Sequence, residues 1–314
     1  MEVNKIVKNI AVNHQPVCPT LYRSYIQSDY GLLITRRMNE CLAVYPEMRD
    51  TIYALAIYPA IKWAVAVEKE VSTLLNMLKN SDKAVLAGAK TVVETASESL
   101  ENLIQRRKNY YEACRTLIAT VDENLSKIKT YPDHGKKYNS VLQVVIGESY
   151  SSEGVTRYNL NKYLPDAIKL LHRCMRESDP TLDHVLTGAL PSEEENAFLY
   201  QSVTQLLQDY TQLLWLTNNA DQNNVLEVAE YTKQLNKVVA QLKSFPGSGN
   251  IYYNIIQTVI KLKPLGIPDE VAADKLKMST YTYSIKKRRA LAVLGTILFG
   301  CEGDIYVKLL ADKF

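Results

Sequence analysis

Residues 82–129 read DKAVLAGAKTVVETASESLENLIQRRKNYYEACRTLIATVDENLSKIK, and this stretch decides the fold class. It lies inside a span, residues 60–131, that holds no proline although the chain has 11. Strong helix formers dominate it, and its apolar residues recur at three- and four-residue spacing, the period of an amphipathic helix. Upstream, residues 50–79 carry the same pattern and are expected to form a helix interrupted near Pro59. Residues 82–129 are expected to form one long helix or two. Downstream, Pro191-Ser192-Glu193-Glu194-Glu195 announces a further helix. Ser192 and Glu195 make a capping box, and the carboxylates sit against the positive end of the helix dipole. Alternating hydrophobicity bounded by turn pairs is nearly absent. The expected fold is all-α, a multi-helix bundle.

An internal repeat organises the bundle. Residues 128–146 read IKTYPDHGKKYNSVLQVVI and residues 242–260 read LKSFPGSGNIYYNIIQTVI. Without a gap, Lys129, Pro132, Gly135, Tyr138, Gln143, Val145 and Ile146 recur as Lys243, Pro246, Gly249, Tyr252, Gln257, Val259 and Ile260, and conservative exchanges fill five further columns. Val121, Leu125 and Ile128 align with Leu235, Val239 and Leu242 on the preceding helix. Further on, the stretch from Val155 matches the stretch from Met278 if the first copy lacks about nine residues. Each unit reads as helix, Pro/Gly elbow, apolar helix and a helix-turn-helix-like element. The proline ends one helix, and Gly135 or Gly249 is expected to let the chain turn. The expected domains are an N-terminal helical segment (1–80), a first copy (81–178) and a second copy (179–314), with a helix-turn-helix at about 251–300.

The second copy carries the chemistry. Residues 269–294 read DEVAADKLKMSTYTYSIKKRRALAVL, a short helix, a turn and a second helix bearing Lys286, Lys287, Arg288 and Arg289. That is the layout by which a helix-turn-helix offers a basic helix to a DNA groove. Proline and acids open the first helix, and Ser279 is placed to cap the second. Val271, Leu276, Ile285, Leu291 and Leu294 are expected to face inward, with Ala273 small enough for close helix approach. Thr280, Tyr281, Ser284, Lys287 and Arg288 are expected on the exposed face. The candidate DNA-binding set is Lys275, Lys277, Ser279, Thr280, Tyr281, Thr282, Ser284, Lys286, Lys287, Arg288 and Arg289. Its hydroxyls and tyrosine suit phosphates or base edges, and its cations suit the backbone. In the first copy only Arg157, Lys162, Lys169 and Arg173 offer charge. Pro165 there is expected to mark the start of a degenerate recognition helix.

The spacing Ser279, Thr282, Arg289, Ala290 and Leu294 resembles the helix-turn-helix of bacterial sigma-factor region four and of phage regulators of the ArpU family. The Phe299-Gly300 ending is similar to the ArpU side of that group. The resemblance covers about the last fifty residues. Lys277 stands in the turn where those families commonly have glycine, and Tyr283 replaces their small aliphatic residue. It implies a bacterial or phage transcription regulator binding promoter-type double-stranded DNA through the helix that begins at Thr280.

Charge is unevenly distributed behind a net of +3. Lys261, Lys263, Lys275, Lys277 and the four-cation run face only Asp269, Glu270 and Asp274 within residues 261–289, whereas residues 177–232 hold no Lys or Arg. A basic end suits a polyanion, and an acidic middle suits a protein partner. The five cysteines are scattered without a CxxC pair, which indicates neither disulfide framework nor metal site and leaves reduced thiols as the expectation. No phosphate-binding glycine loop, nucleophile elbow or HExxH occurs, so neither an enzyme nor a cofactor is expected. Neither apolar run, residues 52–67 or 290–301, reaches the ~20 residues a membrane span needs. A cytoplasmic protein is expected, contacting DNA and holding a second copy or a protein partner through its bundle. The alternative reading is an all-helical adaptor working through its repeats and acidic middle.

Overall fold

The computed structural model describes residues 30–80, 100–147, 155–178, 203–204, 206–207, 222–262 and 266–299. The capping box at Ser192 and most of the acidic middle lie outside the described residues. Among the described residues the chain forms nine α-helices and no strand. These are α1 (Tyr30–Val44), α2 (Arg49–Asn80), α3 (Leu100–Lys129), α4 (Gly135–Val145), α5 (Arg157–Ser178), α6 (Gln222–Gln241), α7 (Gly249–Leu262), α8 (Asp269–Lys275) and α9 (Thr280–Phe299). Single 3-10 turns cover Pro46–Met48 and Leu242–Ser244. The fold is all-α, as the sequence indicates. No helix among the described residues is long and apolar enough to cross a membrane.

Two prolines, one that the sequence assigns to a helix interruption and one to a helix start, sit inside helices instead. Pro59 lies within the 32 residues of α2, and Pro165 lies within α5, which begins eight residues earlier at Arg157. A proline removes one ladder hydrogen bond and crowds the preceding turn. Burial offsets that cost here. Tyr58, Ala60 and Ile61 around the first, and Leu164, Ala167 and Ile168 around the second, are at most 2% exposed.

The chain divides into two compact units. The first contains α1, the start of α2 to Lys62, the end of α3 from Glu112, α4 and α5. Its apolar core includes Met38, Ile52, Leu55, Val121, Leu125, Leu160 and Ile168. Three polar clips fix its helices: Arg37 Nε donates to Asn161 Oδ1 at 2.8 Å, Tyr58 OH donates to Asp122 Oδ1 at 2.6 Å, and Thr51 Oγ1 lies 3.0 Å from His172 Nδ1. His172 is thereby a structural clip. Cys41 is buried, and its thiol is pushed up to about 11 by that burial.

The second unit contains the remainder of α2 from Trp63, α3 up to Tyr111, and α6 to α9. Trp63 Nε1 donates to Gln241 O at 3.2 Å and Ser244 Oγ at 3.1 Å, while its ring meets Phe245 edge-on at 4.9 Å. Gln234 Nε2 donates to Glu70 O at 2.8 Å. At the far end of α9, Arg107 Nε and Tyr111 OH donate to Ile297 O at 3.2 and 3.3 Å. A carbonyl of the last helical turn lacks an intrahelical partner, so these side chains complete it. Burial holds the Arg107 guanidinium below its usual pKa.

The two elbows follow the same backbone path. Asp133 and Gly247 occupy equivalent positions at φ 68° and 74°. Before them, Tyr131 N–H and Phe245 N–H each donate at 3.0 Å, to Ile128 O and Leu242 O; after them, Tyr138 N–H and Tyr252 N–H each donate at 2.9 Å, to His134 O and Ser248 O. Gly135 and Gly249 serve a different purpose from the one the sequence suggests. The turning residues are Asp133 and Gly247. The two glycines open α4 and α7, where an added Cβ would stand 2.4 Å from Ile128 O or Leu242 O. Close backbone approach is what excludes a side chain there.

Candidate nucleic-acid interface

A short helix, a turn and a second helix form where the sequence places them. Pro268, extended at ψ 158°, leads into α8, and Val271 N–H reaches back to Pro268 O at 3.2 Å. The helix then ends in a Schellman motif. Met278 N–H donates to Ala273 O and Lys277 N–H to Asp274 O, both at 3.0 Å, which satisfies carbonyls that the helix end leaves open. The residue carrying the left-handed turn is Lys277, at φ 54°. This is the position where the resembling families commonly place glycine, and the geometry gives the reason, since a Cβ is disfavoured there. Lys277→Gly is expected to raise stability by about 1 kcal/mol, seen as a higher urea midpoint. It also removes an exposed cation from the turn.

Ser279 caps α9 as expected. Thr282 N–H donates to Ser279 Oγ at 3.2 Å, and Ser279 Oγ donates to Thr282 Oγ1 at 2.8 Å. Both hydroxyls are therefore engaged in fixing the helix start, each holding the other. Beyond the cap, α9 has two characters. From Ala290 to Leu294 every side chain is buried, with Ile297 and Leu298 at 0 and 1% exposure. Its first half projects. Thr280 and Tyr281 are exposed, Tyr281 at 77%, Ser284 is half-buried and Arg288 is exposed. Tyr281, Ser284 and Arg288, spaced by three and four residues along α9, share one helix face, and Lys277 in the preceding turn is exposed as well. Lys275 is also exposed, as are Glu270 and Asp274 on α8.

The four-cation run is not one surface. Lys287 is 6% exposed and its Nζ lies 2.8 Å from both Asp269 carboxylate oxygens. It joins the middle of α9 to the first turn of α8, with the Tyr283 ring 5.9 Å from the ammonium. The expectation that Lys287 faces solvent is therefore corrected: it staples the two helices. Lys286 and Arg289 are half-buried, on the flanks. Burial pushes the Lys286 ammonium below its usual pKa, with Arg289 pushing the same way. Arg288 is the exposed member of the run.

Three inward assignments also change. Val271 is 40% exposed, and Leu276 and Ile285 are half-buried. The seven-residue α8 instead buries Ala272 and Ala273, at 3 and 1%, whose small side chains admit α9 closely. Tyr283, at 1% exposure, fills the position where the resembling families have a small aliphatic residue. Among the described residues no group of His, Cys, Asp and Glu is arranged to hold a metal. No protein-family model, curated protein or solved structure matches this chain.

Proposed function

We propose that the chain is a DNA-binding transcription regulator. Helix α9 would enter the major groove by its N-terminal half, where Thr280, Tyr281 and Ser284 read base edges or bond phosphates. Lys275, Lys277 and Arg288 would hold the backbone. The observation that carries this reading is the division of α9. One half is capped and projects hydroxyl, aromatic and cationic side chains, and the other is sunk into the core of its unit. A reading helix needs that rigidity, because a side chain held on a fixed element loses less freedom on binding.

The matching backbone of the two elbows supports a second inference, that the two units descend from one duplicated element. On that view Thr156 and Ser279 are equivalent caps, accepting from Asn159 N–H and Thr282 N–H at 3.2 Å each.

The test follows from the staple. A charge reversal at Lys287 would damage the fold, so the informative variant is Lys277→Glu with Arg288→Glu. With a mixed-sequence duplex at low salt, measured by fluorescence anisotropy, the wild type is expected to bind and the variant to lose at least tenfold in affinity. Equal binding by the two, with unchanged melting of the variant, would remove this face from the account.

A further inference from the structure

The first unit has an elbow of the same path, but its aromatic residues are less covered. In the second unit the elbow rings are covered. Phe245 is 4% exposed beneath Trp63, and Tyr252 is 7% exposed against Phe245 at 5.6 Å. Their counterparts are less covered: Tyr131, in place of Phe245, is 43% exposed, and Tyr138, matching Tyr252, is half-buried. Beside them His134, exposed, meets the Tyr138 and Tyr163 rings at 6.0 and 5.4 Å. The ring of Tyr163 packs inward, while Lys137 Nζ donates to its hydroxyl at 3.4 Å. Lys162 Nζ stands 5.3 Å from the Tyr163 ring centre and 5.6 Å from that of Tyr158. Tyr158, in the first turn of α5, is 65% exposed.

The electrostatics of this cluster are cationic at its centre. The Lys137 hydrogen bond holds the Tyr163 phenol below the usual tyrosine range, against the opposing effect of burial. Lys136, Lys137 and Lys162 are exposed. Of the nearby acids, Asp133 lies in the elbow and Asp166 is 3.7 Å from Lys169. Two ammonium groups are gathered around one phenol, with an exposed tyrosine ring alongside.

We propose that this face of α4 and α5 binds single-stranded nucleic acid, with Lys137 and Lys162 taking a phosphate and Tyr158 stacking on an unpaired base. A single strand alternates negative charge with flat apolar faces, and the cluster alternates ammonium groups with rings. A duplex has its base faces already stacked, so it would leave Tyr158 unused. An acidic peptide would use the lysines but not the ring. The inference stands apart from the duplex reading, since its residues lie in the other unit.

The experiment is anisotropy of labelled dT12 and rU12 at low salt with the full chain. Tyr158→Ala is expected to weaken binding of at least one strand about tenfold, in line with a lost stacking contact, and Tyr158→Phe to retain it. Lys162→Glu is expected to weaken binding and flatten its salt dependence. Lys69→Glu, at an exposed cation of the other unit, should leave strand binding unchanged. Unchanged binding in Tyr158→Ala, equal displacement by polyglutamate of the same length, or a loss in Lys69→Glu as large as that in Lys162→Glu would each overturn the proposal.

Discussion

Gly249→Ala is expected to destabilise the second unit by on the order of 3 kcal/mol, the largest effect of any single methyl group considered. The new Cβ would stand 2.4 Å from Leu242 O and 2.7 Å from Lys243 O. Both obstacles are backbone atoms of a hydrogen-bonded turn, so relief requires shifting α6 or α7 rather than rotating a side chain. Gly135→Ala should act alike in the first unit, with Ile128 O at 2.4 Å and Lys129 O at 3.3 Å. Gly266 provides the control. It has φ 67° but nothing within 4 Å of an added Cβ, so Gly266→Ala should cost only about 1 kcal/mol of backbone strain. Urea denaturation followed by far-UV circular dichroism would rank the three. A Gly249→Ala midpoint no lower than that of Gly266→Ala would contradict the close-approach argument.

Asp269→Ala is expected to cost on the order of 2 kcal/mol, and the asymmetry of the pair makes the test specific. The Lys287 side chain is 8% exposed and that of Asp269 is 41%. Removing the carboxylate leaves a buried ammonium without its partner, and that desolvation is uncompensated. Lys287→Met keeps the aliphatic stem that packs near Tyr283 and leaves Asp269 partly in water, so it should cost under about 1 kcal/mol. The expected order of urea midpoints is wild type, Lys287→Met, then Asp269→Ala. The reverse order would mean that Lys287 is not held as a staple between α8 and α9.

How far the sequence carried this picture is best judged in the helix-turn-helix itself. The bounds of α8 and α9, the Ser279 cap and the burial of Ala273, Leu291 and Leu294 were legible, because local chemistry fixes them: proline and acids at one start, a hydroxyl at the other, apolar residues at helical spacing. The role of Lys287 was not. Four adjacent cations look alike in sequence, and which one turns inward depends on how α9 is rotated against α8. A signal did exist. Tyr283, Lys287, Ala290, Leu291 and Leu294 fall in one helical stripe, so Lys287 sits in phase with the core. Its partner Asp269, 18 residues upstream, became visible only with the turn closed.

The elbows give the same lesson from the backbone. Proline and glycine spacing located both, yet placed the turn at the wrong residue. The left-handed position in the first copy is Asp133, a residue that tolerates that region without announcing it. Pro59 and Pro165 were misjudged because a proline's local penalty was weighed without the burial of its neighbours, and burial is a tertiary quantity. The exposed rings around Lys137 and Lys162 were hidden for a related reason. Residues 131–138 and 158–163 are separate in sequence, and only the packing of α4 on α5 brings them together.

The central claim, that the projecting half of α9 binds duplex DNA through a few backbone contacts, is tested most directly by the salt dependence of duplex affinity. Three exposed cations, Lys275, Lys277 and Arg288, should release about three counterions, giving a slope of about −3 in log affinity against log salt. Arg288→Gln should flatten that slope by about one and leave the melting transition in place. A wild-type slope near zero, or one that Arg288→Gln does not change, would contradict the account.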